Sequence, residues 1–173
     1  MAVFARHAGK HQPVRARIEG EADHAALRRE IDAAAARHGH VWHFNCHSMK
    51  SRGNAMNTDS GRARPDLVIG DRDGTSSDPA VTRWVAAHFS GLGYRVQVND
   101  PYRGADIVRT HGDPTRGRCS VQIEINRALY MDERRIEKTA GFANLARDLA
   151  RVVGDLAALA QAKAQAQVAK SSR

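Results

Sequence analysis

Hydrophobic residues fall into two rhythms along this chain, one of three to four positions and one of two. Leu27, Ile31, Ala34 and Ala35 keep the first; they mark one face of a helix of about four turns that begins at Asp23 and that Gly39 ends. From Val41 the rhythm changes to alternation, with Trp42, Phe44 and Cys46 on one side and His43, Asn45 and His47 on the other. That is a strand with one apolar and one polar face. Residues 50–65, rich in Ser, Gly, Asn and Arg, carry no period and predict a long functional loop. Residues 66–69 form a short buried strand and 70–76 a polar turn, which is a second loop at the same sheet edge if the strands run parallel.

Asp78 before Pro79 is a helix start, an N-cap followed by proline at the first helical position. Val81, Trp84, Val85, His88 and Leu92 give that helix its stripe, and Gly91 and Gly93 close it. Residues 94–98 alternate as a strand, 99–104 form a third polar loop, 105–110 read as a further short strand and 112–114 as a turn. In residues 120–126 the alternation returns, with Val121, Ile123 and Ile125 against Gln122, Glu124 and Asn126. A long helix is predicted from Asp132, its face built from Phe142, Leu145, Leu149, Val152, Leu156 and Leu159. Residues 1–20 read as a loosely ordered lead-in and 161–173 as a fraying tail.

Interleaved helices and strands over 173 residues, with no repeat and no linker, predict one α/β domain, a layered sandwich with a mixed central sheet flanked by helices. No apolar run approaches the roughly 18 residues of a membrane helix, and the first residues lack the apolar core of a secretory signal. The cytoplasm is the expected compartment, with Cys46 and Cys119 as reduced thiols. A net charge of +8 is compatible with nucleic acid, yet the basic residues are scattered and aromatics are only 5%. That argues against a nucleic-acid surface. Neither a phosphate-cradling glycine spacing nor a G-x-S-x-G elbow occurs.

What remains for chemistry is the polar side of two strands. A polar stripe on a covered sheet is costly unless it lines a site, which makes His47 and Glu124 the two candidates. His88 reads as a boundary residue of its helix. His7 and His11 are spaced for chelation on a helix, but Gly9 and Pro13 speak against one.

Four stretches in order carry a resemblance: Asn45-Cys46-His47-Ser48-Met49, residues 66–74 (DLVIGDRDG), residues 99–104 (NDPYRG) and residues 122–133 (QIEINRALYMDE). Together they resemble the N-formylglutamate amidohydrolase family, zinc hydrolases related to the carboxypeptidase-like metallopeptidases. The resemblance implies a zinc ligand at His47 and an acid/base carboxylate at Glu124. It also implies an N-formyl amino acid as the small-molecule partner, with Arg72, Tyr102, Arg109, Asn126 and Arg127 as candidates to bind it. Asn45 stands where the family commonly has an acid and Cys119 where it has a histidine. By the same resemblance, the family's other metal ligands come from a preceding half with a His-Ser-Gly or His-Ala-Gly signature and a following acidic residue, which His7-Ala8-Gly9 matches only superficially. The implied fold is therefore the carboxypeptidase-like one with its N-terminal part missing. Two further expectations follow, a non-catalytic module of the same fold as the alternative, and self-association through an open sheet edge.

Overall fold

The computed structural model describes residues 3–6, 15–57 and 59–171, with side chains described for 24–57, 59–163 and 165. In chain order the elements are β1 (Val3–Arg6), α1 (Arg15–His38), β2 (Val41–Met49), β3 (Leu67–Gly70), α2 (Pro79–Gly91), β4 (Val96–Val98), α3 (Asp106–His111), β5 (Arg118–Asn126), β6 (Met131–Asp132), β7 (Glu137–Lys138) and α4 (Gly141–Ser171). Five strands make one sheet in the order β1-β2-β5-β3-β4. All neighbours run parallel except β3 and β5, which are antiparallel. The sheet is mixed, as the element pattern predicts.

The apolar face of β2 and β5 explains the main core. Trp42, Phe44, Val121 and Ile123 lie under Val85 and Phe89 of α2 and Val152 and Leu156 of α4, joined by Leu67 and Ile69 of β3. Burial of each such side chain removes apolar area from water, worth about 1.5–3 kcal/mol. Asp78 caps α2 as expected, its side chain accepting from the Ala80 amide.

The opposite, polar face is covered in two different ways. At its amino-terminal end α1 lies over β2 and α3 over β5, and Leu27, Ile31 and Val41 form a small second core. Three histidines from three elements meet there. His24 Nδ1 is 3.1 Å from His111 Nε2, and the His43 ring packs edge-on to His111 at 6.3 Å. His43 Nδ1 pairs with Ser120 Oγ at 2.8 Å. The carboxyl-terminal half of this face is left to loops.

Several elements differ from the sequence reading. The lead-in contains β1, which is ordered by pairing with β2 rather than by a local period, and the first turns of α1. Residues 106–111 are helical, not extended. Asp106 and Arg109 pair one turn apart, and Val108 faces inward fully buried. The last helix starts at Gly141 rather than at Asp132. Asp132 Oδ1 accepts from the amides of Arg134 and Arg135, and Ile136 takes a left-handed φ of 58°, so the chain turns back as the β6-β7 hairpin. Gly141 then fits where a Cβ would lie 2.0 Å from the Leu129 carbonyl oxygen. At the other end α4 runs on to Ser171 through Ala, Gln and Lys, all strong helix formers. Finally, β3 opposes β5, so the 70–76 turn lies at the other end of the sheet from His47.

Candidate active site

Strands β2 and β5 pair in parallel with Asn45 opposite Gln122, His47 opposite Glu124 and Met49 opposite Asn126. Directly opposed residues project to the same side, and neighbouring strands are about 4.8 Å apart. His47 and Glu124 are therefore side by side on the polar face, near the strand ends. Glu124 is only 8% exposed. Burial pushes its carboxyl above the ordinary carboxylate range, while the Gln122 hydrogen bond and the Arg64 and Arg127 guanidinium groups pull it back down.

Gln122 orients that carboxylate. Its Nε2 donates to Glu124 Oε1 at 2.7 Å, and its Oε1 accepts from the Ala105 amide at 2.7 Å. The second bond depends on how residues 99–105 cross the sheet. Gly70, opposite Gln122, has no side chain to keep them off; a Cβ there would lie 2.6 Å from the Gly104 nitrogen. Asn99 ties the loop down by exchanging bonds with the Asp71 amide and carboxylate, at 3.0 and 2.7 Å. Tyr102 of this loop meets Arg64, whose guanidinium carbon is 5.0 Å from the ring centre.

Of the residues expected at the site, His47, Glu124, Tyr102 and Arg127 are brought together. Arg127 is half-buried, donates to Ser48 Oγ at 3.1 Å and pulls electrostatically on Glu124. Asn126 is adjacent, but its side chain is occupied by backbone, donating to Pro65 O and accepting from the Ala128 amide. Arg72 bonds the Gly104 carbonyl beyond the end of β3, away from His47. Arg109 is exposed on α3 and paired with Asp106. His7 and His11 lie outside the described residues, and with them His7-Ala8-Gly9.

Two contributors escape the sequence reading. Gln122 was visible as a member of the polar stripe, but its bridging role needs the 99–105 loop. Arg64 sits in the aperiodic loop 50–65, where no local pattern sets it apart from the arginines around it. It is 4% exposed and bonded to Asp59 through Nε and Nη2 at 2.6 and 2.9 Å.

His47 is also held by a neighbour on its own strand. Asn45 Nδ2 lies 3.0 Å from His47 Nε2 and, as an amide N–H, donates to it, while the buried Asn45 Oδ1 has no hydrogen-bond partner. In this arrangement the Nε2 lone pair is engaged. Turning the carboxamide over would instead let Oδ1 accept from Nε2–H, so the Asn45 amide and the imidazole tautomer are set together. The fit to zinc stops at this one ligand. Catalytic zinc takes three protein ligands and an open position, and among the described residues no group of three His, Cys, Asp or Glu side chains is arranged to hold an ion.

With this geometry in view, comparison with known proteins is specific. A family model for N-formylglutamate amidohydrolase matches residues 24–131. An N-formylglutamate deformylase of Pseudomonas putida is 31% identical over 111 residues, 64% of this chain and 40% of that protein. The crystal structure of N-formylglutamate amidohydrolase from Ralstonia eutropha JMP134 matches with a TM-score of 0.76 at 38% identity, covering 86% of this chain and 55% of that one. A gene product of Agrobacterium tumefaciens shares the fold at a TM-score of 0.54 and 24% identity, over 85% of this chain and 50% of its own. The chain thus spans about half, or less, of the length of these relatives. No described helix is long and apolar enough to cross a membrane. The match runs from the middle of α1 through the paired strands that carry His47 and Glu124, and the chain belongs to the N-formylglutamate amidohydrolase family.

Proposed function

We propose that this chain carries the proton-transfer part of an amidohydrolase site that cleaves the formyl amide of an N-formyl amino acid, with N-formylglutamate as its substrate. The observation that carries the reading is the direct opposition of His47 and Glu124 on neighbouring parallel strands. Glu124 takes a proton from the attacking water as oxygen bonds to the formyl carbon. It then returns that proton to the amide nitrogen as the C–N bond breaks, so formate and the free amino acid leave. A carboxyl raised by burial suits both halves of this task, since it accepts and releases a proton closer to neutrality. Zinc is the expected cofactor, one that polarises an amide carbonyl and acidifies bound water. His47 is the one candidate ligand the described residues bring to it, and proton transfer is the part of the reaction these residues account for.

In this reading the protein works in the cytoplasm on a product of histidine breakdown, and the outer strands β1 and β4 are the edges through which copies could associate. A second reading, a non-catalytic module of the same fold, is favoured by the incomplete ligand set among the described residues. Metal analysis of chelator-free protein, with an assay of formate release from N-formylglutamate, separates the two. Bound zinc and release abolished by His47→Ala and by Glu124→Gln support the enzyme. No metal and no release support the module.

A further inference from the structure

Among the arginines around Glu124, Arg64 is the one whose surroundings exceed what a structural role requires. Its side chain is 3% exposed, and burying a guanidinium is costly unless it is paired and hydrogen-bonded. Asp59 supplies the pair through Nε and Nη2, and the Lys50 carbonyl accepts from Nη1 at 3.3 Å. These three bonds suffice to pin the loop 50–65. They also leave two of the five N–H donors of the guanidinium unused. The group is held under the face of Tyr102, within electrostatic reach of Glu124, on the strand face that His47 shares. Loop anchoring explains neither the unused donors nor this position. A planar ligand with two oxygens explains both, because a guanidinium already engaged along one edge can grip a carboxylate along another.

We infer that Arg64 is a specificity-determining residue that binds a carboxylate of the acyl amino acid, with Asp59 and Tyr102 holding the guanidinium in place for it. The inference rests on the amidohydrolase reading for the class of ligand. It assigns a role to a residue outside the four motif stretches. Asp59 fixes the guanidinium plane and offsets its charge, so the discrimination comes from aligned donors more than from net attraction. N-formylglutamate has two carboxylates, and two analogues tell them apart: N-formylglutamine lacks the side-chain one and N-formylglutamate α-amide lacks the other.

The test is binding of these three compounds to the whole chain, followed by titration calorimetry and ligand-observed NMR, neither of which needs turnover. Wild-type protein is expected to bind N-formylglutamate roughly tenfold to a hundredfold more tightly than one of the two analogues, the range for a charge-assisted pair. Arg64→Met should erase that preference, and Arg64→Lys should keep only part of it. Because Arg64→Met leaves the half-buried Asp59 without its partner, the double variant Asp59→Asn/Arg64→Met removes both charges together and should lose the preference equally, with cooperative thermal unfolding retained. A wild-type protein indifferent to both carboxylates, or a preference that survives in Arg64→Met, overturns the inference. Formate release by the wild type with the preference intact in Arg64→Met sinks this assignment and leaves the amidohydrolase reading standing. Carboxylate-selective binding lost in Arg64→Met, with no formate released, does the reverse.

Discussion

Acid should weaken this fold through one buried histidine. His43 is 1% exposed, its Nδ1 is bonded to Ser120 Oγ, and its Nε2 has no hydrogen-bond partner. Burial first, and the neighbouring His111 second, lower its pKa from 6.5 to about 4. The group is thus neutral in the native state at pH values where the unfolded chain would protonate it. A native pKa below the unfolded one means the unfolded state binds more protons in that window, so stability is fully present above pH 6.5 and is lost as pH falls toward 4. The loss from this residue is about 2 kcal/mol at pH 5 and about 3 kcal/mol once both states are protonated, at roughly 1.4 kcal/mol per tenfold. For a chain of this size 2 kcal/mol is a fall in Tm of roughly 4–8 °C. The His111 imidazole, lowered by burial and by His24 and Arg28 and raised by Asp32, adds in the same direction. Glu124, raised by burial, opposes it. His43→Leu isolates the His43 share, since the other groups stay. Thermal melts of wild type and variant at pH 7.5 and 5.0 should show the wild type losing several degrees more than the variant. Equal losses in the two proteins would refute the account.

Three further outcomes follow from the same contacts. Gly70→Ala places a methyl 2.6 Å from the Gly104 nitrogen; forcing the 99–105 loop off the sheet should cost about 1–3 kcal/mol, read from urea denaturation, and an unchanged midpoint would contradict the close approach. Gln122→Ala leaves the Ala105 amide and Glu124 without their shared partner and should cost about 1–2 kcal/mol, with amide exchange at Ala105 faster than in the wild type. The Cys46 thiol, pushed up to about 11 by burial, should resist iodoacetamide at pH 7.5 in the folded protein and react promptly in urea; rapid alkylation without denaturant would show the thiol to be solvated.

Much of the fold was legible because its strongest signals are local. Alternation along 41–47 and 120–126 assigned each residue of β2 and β5 to a face, and the spacing of Leu145, Val152 and Leu156 assigned the buried side of α4. Asp78-Pro79 marked the start of α2 because capping and proline geometry act within one turn. The two polar stripes pointed to His47 and Glu124 for the same reason. A period of two dictates which way a side chain projects, whatever else the chain does. Signals failed where order comes from contact at a distance, as in β1, which pairs with β2, and in the helix at 106–111, whose buried Val108 is matched to its neighbours rather than to a local repeat.

The sequence by itself determined that two strands carry polar faces and that a histidine and a glutamate sit on them. Only the tertiary structure decided that these faces become one site. A slip of two residues between β2 and β5 would keep every side chain on its face and yet set His47 against Gln122 or Asn126 instead of Glu124. Strand direction is equally silent in a periodic pattern: the turn after β3 joins His47 at one sheet edge only if β3 runs parallel to β5, and it runs antiparallel, which puts that turn at the far end. Arg64 shows the limit most clearly. Asp59 and Lys50 hold it within its own aperiodic loop, and Tyr102 reaches it from the 99–105 loop; periodicity describes how a segment faces its surroundings, never which distant segment those surroundings will be.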